Sequence, residues 1–171
     1  VKLALVGSHF RTYLFNTLRQ GKFEMNSHSG KSTFLQMTAT WCKPCMAEVP
    51  ALNKIASEYS DRVDFILLFY VEDSKQVERI AELFSDKIMI VPYGNNSPKE
   101  GRVFTHLASG FPTNYLLSSE LELLDYNGGA AIASTYINEF GEEVIVSEED
   151  AFNRNYKKLK NSVKLLLESE L

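Results

Sequence analysis

Residues 33–52 read TFLQMTATWCKPCMAEVPAL, and this stretch decides the fold of the chain. Its first part, Thr33-Phe34-Leu35, is short and apolar and suits a buried strand. After Cys45 the apolar residues recur at the spacing of one helix face, which predicts a helix to about Tyr59. The two cysteines of the motif therefore lie where a strand gives way to a helix.

On both sides of this stretch, strand-like and helix-like segments alternate, which predicts a sheet with helices packed on its faces. Strands are predicted at 1–6, 13–17, 22–25, 32–37, 64–71, 87–91, 113–117 and 121–125, with a further hairpin at 135–138 and 143–146. Further helices are predicted at 74–84, at 101–108 and from a capping box at Ser147 and Asp150 to about Glu168.

Composition limits the class of protein. The 171 residues favour a single domain, 1–171, with an N-terminal hairpin region (1–29), a core (30–127) and an extension with the C-terminal helix (128–171). The net charge of −4 argues against nucleic-acid binding, and no apolar run is long enough to span a membrane. Gly30-Lys31-Ser32 resembles the end of a phosphate-binding loop, but Met25 stands where that motif needs glycine.

The chemistry of the chain is predicted at Cys42 and Cys45, its two cysteines. A thiol at a helix N-terminus is ionised more readily, because unpaired backbone N–H groups and the helix dipole stabilise the thiolate. Cys42 is therefore the expected nucleophile and Cys45, in the first turn, the resolving thiol. The alternatives are an inert or structural disulfide, or a metal site completed by histidines that lack any recognisable finger spacing. We expect no metal and no cofactor.

Three further features, two single residues and one basic run, also carry predictions. Glu48 lies three residues after Cys45 on the same helix face. It is either a proton acceptor for the Cys45 thiol or a glutamate that faces solvent. Pro112 directly precedes a predicted strand. Either the peptide bond before it is cis, or it is an ordinary loop proline. The basic run 154–164 of the last helix is interpreted as its solvated face.

The run Ala39-Thr40-Trp41-Cys42-Lys43-Pro44-Cys45, followed by Glu48 and Pro50, resembles the thioredoxin-like superfamily and, within it, the TlpA/ResA-type thiol-disulfide oxidoreductases. The resemblance implies a mixed sheet flanked by helices, an N-terminal hairpin and a strand–helix insertion within 72–110. It implies an active-site glutamate at Glu48 and a cis-proline at Pro112. Gln36 departs from thioredoxin, which has a buried aspartate there. The substrate-binding surface implied by this family consists of Trp41, Lys43, Pro44, Phe111 and Pro112.

The resemblance implies an enzyme that exchanges its dithiol with disulfide-containing protein substrates, as a reductant regenerated by a thiol partner. Because the chain begins at Val1 rather than Met, a leader or anchor could precede it; an envelope location is expected, with the cytoplasm as the alternative. A peroxiredoxin-like peroxidase is one rival, although Leu35 and Thr40 do not fit its motif. The other rival is a redox-inactive binding module that uses residues 130–146 for partner contact.

Overall fold

The computed structural model describes residues 6–25, 30–93 and 110–170. Within these ranges the chain forms a five-stranded mixed sheet, two separate hairpins and three α-helices. The strands are β1 (Tyr13–Asn16), β2 (Lys22–Met25), β3 (Ser32–Thr38), β4 (Val63–Phe69), β5 (Ile88–Val91), β6 (Thr113–Leu117), β7 (Leu123–Gly128), β8 (Ser134–Ile137) and β9 (Glu143–Val146). The helices are α1 (Lys43–Tyr59), α2 (Ser74–Glu78) and α3 (Glu148–Glu168).

The central sheet has the strand order β5-β4-β3-β6-β7. Strand β3 lies in the middle, parallel to β4 and antiparallel to β6. Every residue of β3 is buried, as expected for a strand with neighbours on both sides and covered faces. The predicted mixed sheet flanked by helices is therefore confirmed, and the end of β3 leads directly into the cysteine motif.

Each face of the sheet carries its own apolar core. On one face, α1 and α3 pack on the sheet and on each other, with Leu52, Ile55 and Leu159 fully or almost fully buried between them. On the other face, the β1–β2 hairpin inserts Tyr13 and Phe15 against the sheet. This arrangement brings α3, from the end of the chain, alongside the helix that starts at the cysteine motif.

The predicted helix over residues 74–84 is wrong in its extent. The structure has a short α2 that ends at Glu78, followed by a separate 3-10 helix over Ala81–Leu83. The side chain of Arg19 donates hydrogen bonds to the carbonyls of Phe84 (3.1 Å) and Ser85 (2.8 Å). The helix breaks before these carbonyls, at Ile80, whose backbone (φ −120°, ψ 0°) is not α-helical, and the contact with Arg19 fixes the segment that follows the break.

Several boundaries differ from the predictions by one or two residues. Strand β4 ends at Phe69, before the predicted 71, because Val71 adopts a left-handed backbone (φ 57°) that an extended strand does not accommodate. Strands β1 and β2, β6 and β7, and β8 and β9 pair as antiparallel hairpins, which confirms that the segments predicted there are strands. The predicted helix at 101–108 and most of the predicted strand at 1–6 lie outside the described residues.

The start of α3 follows the sequence prediction closely. The Ser147 side chain accepts a hydrogen bond from the backbone N–H of Asp150 at 3.0 Å, and Asp150 accepts one in return from the Ser147 N–H at 3.2 Å. Three acidic residues in the first turn face the positive end of the helix dipole. The preceding hairpin β8–β9 forms its own sheet and leaves Ile137, Phe140 and Ile145 exposed.

Candidate active site

Cys42 and Cys45 form a disulfide at the start of α1, with their Cα atoms 5.2 Å apart. Cys42 is the N-cap residue of the helix, and its Sγ accepts a hydrogen bond from the backbone N–H of Cys45 at 3.2 Å. The first turn of α1 contains no acidic residue. A negative charge on Cys42 Sγ would therefore lie at the positive end of the helix, next to a backbone donor and without a competing carboxylate.

The surroundings of the disulfide are apolar. Cys42 and Cys45 expose 5% and 2% of their surface and cluster with Ala39, while Met46 and Phe111 pack against this cluster. Cys42 is the more exposed of the two cysteines, but by a small margin. Because little of either sulfur is exposed, a substrate must come into close contact with the residues around the motif to reach it.

The predicted substrate-binding residues surround the disulfide. Trp41 is 66% exposed, and its ring lies 5.7 Å from that of Phe111, edge to face. The Phe111 ring is also 5.2 Å from that of Tyr70, so it is held between two aromatic side chains. On the first turn of α1, Lys43 is exposed and Pro44 is half-buried. These side chains form an aromatic and partly apolar rim beside the motif.

Pro112 follows a cis peptide bond and lies directly before β6, whose first residue, Thr113, pairs with Met37 near the end of β3. Its carbonyl accepts a hydrogen bond from the N–H of Gly129 at 2.9 Å. A Cβ at Gly128 would lie 3.0 Å from the same carbonyl oxygen, closer than most Cβ contacts, so glycine favours this close approach. Strand β7 thereby fixes the segment that carries Phe111 against the disulfide cluster.

Glu48 is fully buried one helical turn after Cys45. Its Oε2 accepts a hydrogen bond from Gln36 Nε2 at 2.8 Å, and its Oε1 lies 3.8 Å from the ammonium nitrogen of Lys158. Burial raises the pKa of the Glu48 carboxyl, and the charge of Lys158 and the hydrogen bond from Gln36 partly offset that effect. The solvent-facing alternative for Glu48 is therefore wrong, and its side chain is a buried carboxyl with a high proton affinity.

A ring of polar side chains includes Glu48 and links five elements of the fold, β3, α1, β6, β7 and α3. Gln36 donates to Asn114 Oδ1 at 2.8 Å, Asn114 donates to Asn127 Oδ1 at 3.1 Å, and Asn127 donates to Ser162 Oγ at 3.2 Å. Ser162 Oγ donates to the backbone carbonyl of Lys158 at 3.3 Å, which closes the ring at the ion pair. Hydrogen-bonded side chains of this kind hold one another in position.

Lys158 corrects one prediction. The basic run 154–164 was expected to be the solvated face of the last helix, but Lys158 is half-buried and directed to Glu48. Packing of α3 on α1 carries this one lysine inward, while the side chain of Lys157, its neighbour, stays exposed. No local pattern distinguishes the two lysines, so sequence reasoning missed Lys158 together with Asn114 and Asn127.

A second buried acid positions the loop before the motif. Glu72 accepts hydrogen bonds from the backbone N–H of Thr40 at 2.8 Å and from the Thr40 hydroxyl. Glu72 is 3% exposed and follows β4, the strand next to β3. It therefore fixes the backbone immediately before Trp41, and no local sequence pattern indicates this contact.

A groove of about 660 Å³ opens beside the first turns of α1. It lies between α1, the start of α3 and the segment before β8. The residues that line it include Lys43, Met46, Pro50, Ile132, Glu149 and Phe152. Since Lys43 belongs to the cysteine motif, the groove is a continuation of the rim around the disulfide.

Within residues 6–25, 30–93 and 110–170, no group of three or more histidine, cysteine or acidic side chains is arranged to hold a metal ion. None of the helices in these ranges combines the length and the hydropathy of a membrane span.

A cysteine pair joined as a disulfide at the first helix of such a sheet defines a class of protein, the thioredoxin-like thiol-disulfide oxidoreductases. The Redoxin family model matches residues 7–110, more than half of the chain. The chain therefore belongs to the Redoxin family.

Similarity to individual proteins agrees with this assignment. The thioredoxin-like protein YneN of Bacillus subtilis (strain 168) is 27% identical over 126 residues, which cover 72% of this chain and 71% of YneN. The thiol-disulfide oxidoreductase ResA of Bacillus thuringiensis subsp. konkukian (strain 97-27) is 26% identical over 117 residues, 67% of this chain and 65% of ResA.

Among solved structures, StoA from Bacillus subtilis superposes with a TM-score of 0.55 at 22% identity, covering 73% of this chain and 90% of StoA. At that identity the superposition shows the shared fold. Together these matches confirm the predicted TlpA/ResA-type resemblance and the class of enzyme.

Proposed function

We propose that this protein reduces disulfides of other proteins in the bacterial cell envelope, with Cys42 as nucleophile and Cys45 as resolving thiol. The observation that carries the proposal is the disulfide at the N-terminus of α1, where Cys42 Sγ is itself the cap and the first turn carries no acid. This arrangement favours the thiolate of Cys42, which is the attacking species in thiol–disulfide exchange.

The reaction begins from the reduced dithiol. The Cys42 thiolate attacks one sulfur of the substrate disulfide, forms a mixed disulfide and releases the other sulfur as a thiolate, which takes a proton from solvent. Cys45 then loses its proton to the buried carboxylate of Glu48 and attacks Cys42 Sγ. The bond between Cys42 and the substrate breaks, so the substrate gains two electrons and the protein is left with the Cys42–Cys45 disulfide.

A separate thiol reductant must then return the Cys42–Cys45 disulfide to the dithiol. The envelope location and the reducing direction both follow from the resemblance to the ResA type. A reduction potential above about −150 mV would instead indicate an oxidant.

Substrate contact is proposed at the rim around the disulfide. Trp41 and Phe111 offer aromatic surface, and Lys43 and Pro44 form the exposed side of the first turn. The segment at Pro112 lies beside the cysteine motif, where an extended stretch of substrate would align with the reacting sulfurs. The groove beside α1 enlarges this surface on the side of Lys43.

The test is reduction of insulin by the purified protein with a dithiol as electron source, compared for wild type, Cys42→Ser and Cys45→Ser. We expect turnover in the wild type and none in either variant. Cys45→Ser should accumulate a mixed disulfide with the substrate, visible as an adduct by mass spectrometry, whereas Cys42→Ser should not. Turnover by Cys42→Ser would refute the assignment of the nucleophile, and an inactive wild type would favour the binding-module alternative.

A further inference from the structure

We propose that Lys158 of α3 is a positioning residue for the exchange reaction: its ammonium group lies against the buried carboxylate of Glu48 and controls how readily that carboxylate accepts the proton of Cys45. The proposal rests on the function proposed above. It assigns the last helix, which is distant in sequence from the cysteines, a direct influence on the resolving step.

The first observation is the contact itself. Lys158 Nζ lies 3.8 Å from Glu48 Oε1, and this oxygen is buried and accepts no hydrogen bond within the described residues. The ammonium group donates to the carbonyls of Gly128, at 3.2 Å, and Gly129. Lys158 is therefore fixed by two carbonyls at the end of β7 and acts on the carboxylate through its charge rather than through a hydrogen bond.

The second observation concerns the other groups that lie next to Glu48 in the described part of the chain. On the side of β3, Glu48 meets the neutral amide of Gln36, which in turn contacts the neutral amide of Asn114 on β6. On its own helix, the nearest titratable neighbour along the same face is Cys45. Within residues 6–25, 30–93 and 110–170, Lys158 is thus the charged residue that forms an ion pair with Glu48.

The third observation is that Lys158 lies between Glu48 and solvent. The Glu48 side chain is 1% exposed, whereas that of Lys158 is 29% exposed and lines a cavity of about 510 Å³. Other charged groups at this cavity are Arg154 and Lys157 of α3 and Asp125 of β7. These groups face Lys158 from the solvent side, so their influence on Glu48 is weaker than that of the lysine in contact with it.

The physical consequence follows from two opposing effects. Burial raises the pKa of Glu48 and favours the neutral acid, which cannot accept a proton, while the charge of Lys158 lowers the pKa toward the ionised base. Burial also lowers the pKa of Lys158, and the carboxylate of Glu48 opposes that shift. Removal of the lysine charge leaves burial unopposed, so a larger share of Glu48 would be protonated at neutral pH.

The principal test is the pH dependence of the exchange rate in Lys158→Met and Lys158→Arg, each compared with wild type. We expect Lys158→Met to move the profile to higher pH and to slow exchange at pH 7 by roughly tenfold, a part of the usual effect of a general base. Lys158→Arg keeps the charge and should retain most of the wild-type profile. Lys157→Met is the matched control, because it removes an equal charge at the same cavity and should leave the profile unchanged.

A second measurement does not require turnover. The 13C resonance of the Glu48 carboxyl, followed by NMR in the disulfide form, should titrate at higher pH in Lys158→Met than in wild type. An unchanged midpoint would overturn the proposal, even if the protein proved inactive toward disulfides. If Lys158→Met does not fold, Lys158→Gln retains a donor for the glycine carbonyls without the charge and should give the same upward shift.

A double-variant comparison separates electrostatic control from a structural role. In a Glu48→Gln background, Lys158→Met should have no further effect on the pH profile, because the group through which it acts is absent. An equal slowing at all pH values, present also in the Glu48→Gln background, would show that Lys158 only maintains packing.

Discussion

The N-termini of α1 and α3 are the same kind of structure used in two ways. At α3, Ser147 and Asp150 form a reciprocal capping box, and three acidic residues in the first turn compensate the helix dipole. At α1, a cysteine sulfur is the cap and the first turn contains no acid. The positive end of α1 is therefore left available for a charge that appears only when the disulfide is reduced.

The two carboxyls associated with these helix starts also behave in opposite ways. Burial raises the pKa of Glu48, in the second turn of α1, whereas hydrogen bonds from Ser147 lower the pKa of the exposed Asp150. A carboxyl of the first kind holds a proton more firmly and suits proton exchange with a thiol. A carboxyl of the second kind stabilises the fold in its ionised form.

Among the variants that test this contrast, Glu48→Gln should have the largest effect on the exchange rate. It removes the proton acceptor of α1 and keeps the shape of the side chain. Exchange should slow by about 10²-fold, the lower range of general-base contributions, while Cys42 stays reactive toward alkylating agents. Stopped-flow measurement of mixed-disulfide resolution checks the first effect and alkylation of Cys42 the second. An unchanged rate of resolution would show that solvent alone serves as the base.

The same variant has a signature in stability. Because the pKa of Glu48 is raised in the folded state, that state binds more protons than the unfolded chain, and the free energy of unfolding falls as pH rises through and above 4.5. Glu48→Gln should lack this component, which the difference between the two urea-denaturation profiles isolates from other groups. A difference of the opposite sign would contradict the raised pKa.

Lys43→Glu would make the start of α1 resemble that of α3. An acid in the first turn competes with the Cys42 thiolate for the helix dipole, so the rate of Cys42 alkylation at pH 7 should fall about two- to fivefold. Lys164→Glu makes the same charge change at an exposed position of α3 and serves as the control. Equal effects of the two variants would indicate a general change of net charge rather than an effect at the helix start.

Ser147→Ala tests the other side of the comparison. Loss of the cap should lower the free energy of unfolding by about 1 kcal/mol, because the N–H of Asp150 loses its acceptor. The alkylation rate of Cys42 should stay at the wild-type value, since the cap of α3 has no part in the cysteine chemistry. Urea denaturation and thiol alkylation on the same sample give both values, and a change in reactivity would argue against separate roles.

The smallest effect is expected from Asp150→Asn, and it should depend on pH. The lowered pKa of Asp150 means that its stabilisation is present above the ordinary value of 3.8 and is lost as pH falls through the lowered pKa. Wild type should therefore be the more stable protein at neutral pH and lose that advantage in acid. A difference that is constant from pH 7 to pH 2 would show that charge is not the cause.

The features that sequence reasoning found are those encoded locally. The cysteine spacing, the strand before it and the capping box at Ser147 each depend on a few adjacent residues, and the structure agrees with all three. The helix predicted over 74–84 is interrupted at Ile80, whose backbone (φ −120°, ψ 0°) leaves the α-helical conformation, and the segment after the break is bound by Arg19, far away in sequence. Local periodicity contains no information about such tertiary contacts.

The site was predicted in part for the same reason. Glu48 could be named from its spacing to Cys45, whereas its environment depends on Lys158, 110 positions further along the chain. Gln36 was noted as a departure from thioredoxin, but its role as donor to Glu48 and Asn114 requires the register of β3 with β6. These polar residues form a hydrogen-bond network only because the sheet and α3 bring them together in the fold.

Trp41 has one more consequence, for observation rather than for chemistry. It is the single tryptophan of the chain, adjacent to Cys42 and 66% exposed. A disulfide close to an indole quenches its fluorescence, so the emission of the unlabelled protein should brighten when the cysteine pair is reduced. The intrinsic fluorescence of Trp41 should therefore report the oxidation state of the cysteine pair while the reaction proceeds.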